Sequence, residues 1–140
     1  MTRTRLALTA VLAFMLFSLS LGSAQAGPRK SMLRAIDGVR GSRLNFSKRL
    51  SAGAAAWARH LFQAGVLAHS GRAIRCHQGE VIEWHTGTSP NVQGVVTEWM
   101  NSPEHRPVLL NGIFHRAGAG RAVGMMNGVR STIWVVRFAR

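Results

Sequence analysis

A single cysteine, Cys76, limits how this chain can fold more than any other feature. Residues 1–26 read as an export segment. Arg3 and Arg5 form a positive n-region, residues 6–21 are apolar apart from Thr9, Ser18 and Ser20, and Ala24-Gln25-Ala26 is a small-residue cleavage signal. Exported domains usually carry cysteines in pairs, and one cysteine closes no internal disulfide. The fold is therefore expected to stand on packing alone. An uncleaved anchor is the competing reading, because an apolar run of this length approaches what crosses a bilayer. The small residues after Leu21 favour cleavage. The expected mature chain is residues 27–140, a single domain of 114 residues with one modest core. It is expected to be secreted or periplasmic and not membrane-spanning.

Charge narrows the partners. Without Arg3 and Arg5 the chain carries 16 Lys/Arg against five Asp/Glu, a net formal charge of +11. Such a surface attracts polyanions, anionic lipid or an acidic cell envelope; the plainer reading is that the charge keeps an exported protein soluble. The basic residues are scattered, with no run that would make an arm or tail, which argues against specific nucleic-acid recognition. A nucleophilic thiol at Cys76, with Arg75 and His77 beside it, is disfavoured because sequence neighbours point apart on a strand.

Periodicity supplies the elements. Met32, Leu33, Ile36 and Val39 recur at helical spacing behind a natural cap at Ser31, with Asp37 and Arg40 placed to pair on the surface. Residues 51–64 form the strongest helical pattern, with Leu50, Ala54, Trp57, Leu61 and Ala64 on one stripe and Gly65 suited to its C-terminal end. Ser89-Pro90 predicts the start of a third helix, which buries Val92, Val95, Val96, Trp99 and Met100 and leaves Glu98 at the edge of that stripe. Ser102-Pro103 repeats the cap-and-proline signal and opens a short helical turn reaching Leu110. Residues 80–84, 116–123 and 131–139 read as strands, the last two joined by an Asn127-Gly128 hairpin turn. The sum is an α+β layered domain, helices around a small antiparallel sheet.

Three short pieces carry the chemistry: His69-Ser70-Gly71, Gly79-Glu80 and the run Trp99-Met100-Asn101-Ser102-Pro103-Glu104-His105-Arg106. With Ile36-Asp37 and Arg40 before them, and the Ala117-Gly118-Ala119-Gly120 strand and an aromatic last strand after them, they resemble a bacterial member of the CAP superfamily. That group comprises cysteine-rich secretory proteins, antigen 5 and plant pathogenesis-related proteins. The likeness spans roughly residues 31–139 and implies an α-β-α sandwich whose central cleft gathers two histidines and two carboxylates. On the matching motifs, His69, Glu80 and His105 take three of these places. Ser102 stands where many relatives have a carboxylate, with Glu98 and Glu104 as off-motif substitutes, and Val81 stands where the family usually has Asn.

Two imidazoles and a carboxylate are a reasonable set for Zn²⁺, and an open fourth position would hold a water that can act as a nucleophile. The same residues without metal form a hydrogen-bonded cluster that positions loops. Ser70 beside His69 more often caps a turn than attacks a substrate. Glu80 with Glu98 is the one carboxylate pair to weigh for glycoside hydrolysis. His60, His77, His85 and His115 read as surface or boundary residues. Trp84 is the one tryptophan placed to line a cleft mouth, though core is the better reading. The expected function is a secreted, non-enzymatic binding module for a cell-envelope, lipid-like or small ligand. Its cleft residues are His69, Glu80, Glu98, Ser102 and His105, with Zn²⁺ as the candidate cofactor. The alternative is a metal-assisted hydrolase on His69, Glu80 and His105.

Overall fold

The computed structural model describes residues 27–71 and 78–140. The export segment and the Cys76-His77 pair lie outside the described residues.

Helix α1 (Pro28–Arg40) starts three residues before the expected Ser31 cap, because Pro28 occupies its first position with φ already suited to a helix. It ends where Gly41 turns left-handed at φ 67° and donates its N–H to the Asp37 carbonyl. Met32, Leu33 and Ile36 are buried. The expected Asp37–Arg40 pair gives way to longer-range bonds. Asp37 Oδ1 accepts from Leu44 N at 3.0 Å, while Arg40 donates to the carbonyls of Leu109, Asn111 and Phe114. Those carbonyls need a donor more than Asp37 needs a surface partner.

After the two-residue strand β1 (Asn45–Phe46), helix α2 (Lys48–Ala64) is capped by Ser47, whose Oγ accepts from Leu50 N at 3.3 Å. Its buried stripe is Ser51, Ala54, Ala55, Ala58 and Leu61, rotated toward the small residues from the stripe expected around Trp57 and Ala64. The cause lies across the interface. Strand β3 (Arg116–Met126) presents Gly118 and Gly120 to α2, where an added Cβ would fall well inside 3.0 Å of the Ser51 and Ala55 backbone nitrogens. Glycine on the strand and alanine on the helix let the two backbones touch. The small residues of the 117–120 segment are a seat for α2.

Strands β2 (Gln78–Thr86), β3 and β4 (Val129–Ala139) form the antiparallel sheet. The order is β1-β3-β4-β2, with β1 adding a parallel edge that the sequence pattern did not predict. Asn127 and Gly128, both at positive φ, make the hairpin turn between β3 and β4. Central β4 is buried on both faces, so it reads as a nearly unbroken apolar run. Trp134, Val136 and Phe138 point to one side, into a core with α1 and with α3 (Val92–Asn101) and α4 (Arg106–Leu110). Ile133 and Val135 point to the other, against Ala54, Ala58 and Leu61 of α2. The architecture is an α-β-α sandwich.

Helix α3 begins two residues later than the Ser89-Pro90 signal. Asn91, left-handed at φ 40°, occupies its N-cap position, and Ser89 Oγ accepts from Asn91 N at 3.3 Å. Pro90 serves another purpose: its carbonyl accepts from Trp134 Nε1 at 2.8 Å. Pro107 sits in the first turn of α4, where its missing N–H costs no helical bond.

Candidate functional site

Strand alternation decides which way each group on β2 points. Val81 enters the core with α1 and α3, so Glu80 and Ile82 face the α2 side. Glu80 lies opposite Arg137 of β4 in the antiparallel register. Its side chain is 1 % exposed, and its oxygens meet four donors. Oε1 accepts from Ser70 N at 2.8 Å and faces His69 Nδ1 at 3.2 Å; Oε2 accepts from Ser70 Oγ at 2.7 Å and Arg137 Nε at 2.9 Å. A carboxylate offers about four lone-pair sites, and here all are in use. Glu80 thereby ties the His69-Ser70-Gly71 turn to the sheet.

Gly79 explains the other half of the Gly-Glu motif. A Cβ there would lie 2.7 Å from Phe114 Cε2 and 2.9 Å from Val108 Cγ1. Without it, the segment around α4 closes on β2 and forms one wall of a cleft of about 560 Å³ lined by His69, Gly79, Glu80, Pro107, Val108 and Phe114. A smaller recess of about 190 Å³ lies beside it, lined by Leu67, Ala68, His69, Ile82 and His105. His69 borders both, with its side chain 53 % exposed.

The turn after α3 positions His105. Ser102 Oγ accepts from His105 N at 3.4 Å, the cap geometry expected of Ser-Pro, and lies 2.9 Å from His105 Nδ1. The ring centroid of His105 is 6.4 Å from that of His69, with the planes tilted by 50°. Burial pushes the His105 imidazole below its ordinary value; the positive charge that His69 can carry pushes it further the same way, and Glu104 opposes both weakly.

His69, Glu80, Ser102 and His105 thus belong to one continuous region. Glu80 does not point between the two rings: it lies behind His69, turned to Ser70 and Arg137. Glu98 is exposed on α3 and lines neither cleft that holds His69. Its charge instead bears on Glu83. A three-ligand metal set of His69, Glu80 and His105 therefore does not fit this geometry, because the carboxylate's lone pairs are committed to four donors. Among the described residues, no group of three or more His, Cys, Asp or Glu side chains is placed to hold a metal ion. The recess that the two imidazoles share is lined otherwise by Leu67, Ala68 and Ile82, with no acidic side chain of the described residues in that lining.

Arg137 is the site residue that sequence reasoning missed. The signal was present: a charge inside the buried run of β4, Val135-Val136-Arg137-Phe138, needs a partner. Register then makes that partner Glu80. Trp84, read as core or cleft mouth, is half-buried against the α2-side cluster. His60 is exposed and stacks on Trp57 at 4.8 Å, and His115 is exposed.

A helix-sheet-helix sandwich with two imidazoles across an edge cleft, and a buried Glu fastening the loop behind them, defines a recognisable class of domain. Residues 34–138 match the cysteine-rich secretory protein family, CAP, and the chain belongs to that family. Among solved structures, an outer surface protein from Borrelia burgdorferi is similar at a TM-score of 0.59 and 21 % identity, covering 79 % of this chain and 90 % of that one. An extracellular SCP-domain protein from Bacillus anthracis matches at a TM-score of 0.60 and 17 % identity. That match covers 81 % of this chain and 40 % of the other. Schistosoma mansoni venom allergen-like protein 4 matches at a TM-score of 0.61 and 9 % identity, covering 81 % and 88 %. Identities this low speak to the fold alone. No curated protein is similar enough to stand as a relative. Among the described residues, no helix is long and apolar enough to cross a membrane.

Proposed function

We propose that the chain is an extracellular, non-enzymatic binding domain whose cleft between His69, Val108 and Phe114 receives a small or lipid-like ligand from the cell envelope. One observation carries this reading: Glu80 has no lone pair to spare. A general base or a metal-ligating carboxylate needs a free oxygen facing substrate, and Glu80 spends both of its oxygens holding a loop and an arginine. What remains at the cleft is an apolar wall with the exposed His69 ring at its rim, suited to an acyl or similarly apolar body carrying a polar head. The export segment supports an extracellular location, as do the extracellular or outer-surface settings named for two of the similar structures.

The test is an amide NMR titration of residues 27–140 with decanoate as the probe. The expected result is saturable shifts at Val108, Phe114 and His69, lost in Val108→Asp. Shifts scattered over the surface, or equal in wild type and variant, would remove the reading. The metal-assisted hydrolase is the second reading, on His69 and His105 without Glu80, and the approach of the two rings is what favours it. It requires Zn²⁺ heats in calorimetry that vanish in the His69→Ala/His105→Ala double variant.

A further inference from the structure

Among the described residues, three arginines gather outside the clefts that hold His69 with more positive charge than their partners offset. A separate cleft of about 380 Å³ opens where the first turns of α2 meet the starts of β2 and β3, with Arg49, Arg116 and Arg137 in its wall and Ser47, Gly53 and Gln78 beside them. We propose that this cleft binds a phosphate group, held by the guanidinium groups of Arg49, Arg116 and Arg137. The proposal does not rest on the His69/His105 reading, and only Gln78 lines both this cleft and the larger one at His69.

Three features support it. First, the three arginines have one acidic side chain between them. Among the described residues Arg137 pairs with Glu80, whereas Arg49 and Arg116 have no Asp or Glu partner within 4.0 Å. Arg116 has one anionic contact of another kind, donating Nε at 2.7 Å to the main-chain carboxylate oxygen of Arg140, the last residue of the sequence, which leaves its terminal nitrogens uncommitted. Second, Arg137 uses only Nε on Glu80, so its terminal nitrogens extend past the ion pair. Nη1 lies over Gly53, where an added Cβ would come within 2.7 Å of it. The glycine lets the mostly buried guanidinium lie close against α2, at the wall of the cleft that both residues line. Third, like charge gathers here at a cost. Lys48 and Arg49 occupy the first turn of α2 with no acidic residue to offset them, against the field of the helix. An anion relieves that repulsion, and guanidinium forks match phosphate oxygens in geometry as well as charge.

The cleft is open to solvent and wide enough for a phosphate on a larger molecule. The phosphate could belong to a lipid headgroup or a free anion, and the experiment separates these sources. Residues 27–140 are titrated at low ionic strength with inorganic pyrophosphate by calorimetry, and with phosphatidylglycerol vesicles by co-sedimentation. The same is done for Arg49→Gln, Arg116→Gln and the remote, exposed Arg59→Gln. The expected result is saturable binding of at least one probe, weakened about tenfold by Arg49→Gln and by Arg116→Gln, which corresponds to about 1.4 kcal/mol, with Arg59→Gln close to wild type. Binding of pyrophosphate assigns a free anion, and binding of vesicles alone assigns the lipid source. Failure of both probes, or an equal loss in all three variants, would show only diffuse attraction to a basic surface and overturn the proposal. Circular dichroism on each variant confirms the fold, and Arg116→Lys should keep charge yet still bind more weakly than wild type if the fork geometry matters.

Discussion

Two Glu–His pairs leave strand β2 in opposite directions, and their fates differ. On the α2 side, Glu80 is buried and meets four donors, and its histidine partner is half-exposed on a cleft. On the α3 side, Glu83 Oε2 lies 3.0 Å from His85 Nδ1, while His85 Nε2 donates to the Ser89 carbonyl at 2.8 Å. Both nitrogens of His85 are therefore occupied. Burial pushes the Glu83 carboxyl above the usual range; the His85 bond and charge pull it back, and Glu98 adds to the rise. Sequence proximity favours the 83–85 pair, two residues apart. The geometry favours 69 and 80, because only there does a ring remain free after its carboxylate has been satisfied.

The largest expected effect comes from cutting the first pair. Glu80→Ala strands Arg137 in a mostly buried position and leaves Ser70 N and Oγ without an acceptor. It should destabilise the domain by about 4 kcal/mol in urea denaturation. Glu83→Ala should cost about 1 kcal/mol, because one hydrogen bond to His85 is at stake. Equal losses would erase the distinction between the pairs.

Next in size is the seat that brings α2 against the sheet and sets Gly53 beneath Arg137. Gly120→Ala forces a Cβ into the α2 backbone and should cost about 3 kcal/mol, an overpacking penalty at the high end because backbone, not a flexible side chain, must move. A Gly120→Ala variant as stable as wild type would mean that the helix does not sit on the strand as described.

A smaller effect separates the α3 side of β2 from the recess beside His69 by pH. The Glu83 carboxyl is raised from 4.5 in the fold, so the native state holds that proton more tightly than the unfolded chain does. Its contribution to stability is therefore lost as pH rises from 4.5 through the higher folded value. Glu83→Gln should flatten the stability profile in that window. His105 runs the other way. Lowered from 6.5, it is protonated first in the unfolded chain, so stability falls as pH drops from 6.5 through the folded value. His105→Asn should remove that acid-side loss. Profiles of the same sign for both variants would contradict the environments assigned to them.

Much of this was open to reading in the chain. The α2 pattern, the β4 apolar run and the Asn127-Gly128 turn mark their elements because each reflects a local rule of period or turn. Strand β1 was not readable, since two exposed residues have no period and only their register against β3 defines them. Arg40 likewise finds its partners 69 to 74 residues away, beyond any helical rule. At the site, the Ser-Pro signal marked the turn in which Ser102 Oγ meets His105, but α4 itself begins only at Arg106 with His105 at its N-cap, and the bond to the ring was not foreseen. The direction of Glu80 did not follow from its motif: it depends on strand register and on Arg137, and no spacing between residues 69 and 80 encodes either. Glu98 failed for a related reason, since the edge of an apolar stripe can face either a cleft or open solvent.

His69 and His105 share one recess whose lining holds no acidic side chain of the described residues. Measuring the titration of the His105 ring by NMR, in wild type and in His69→Asn, tests this most directly. His105 is expected to titrate below its ordinary value in wild type and to rise part of the way back when His69 is removed, the remainder being due to burial. A His105 titration that is ordinary from the start, or unmoved by the loss of His69, would contradict it.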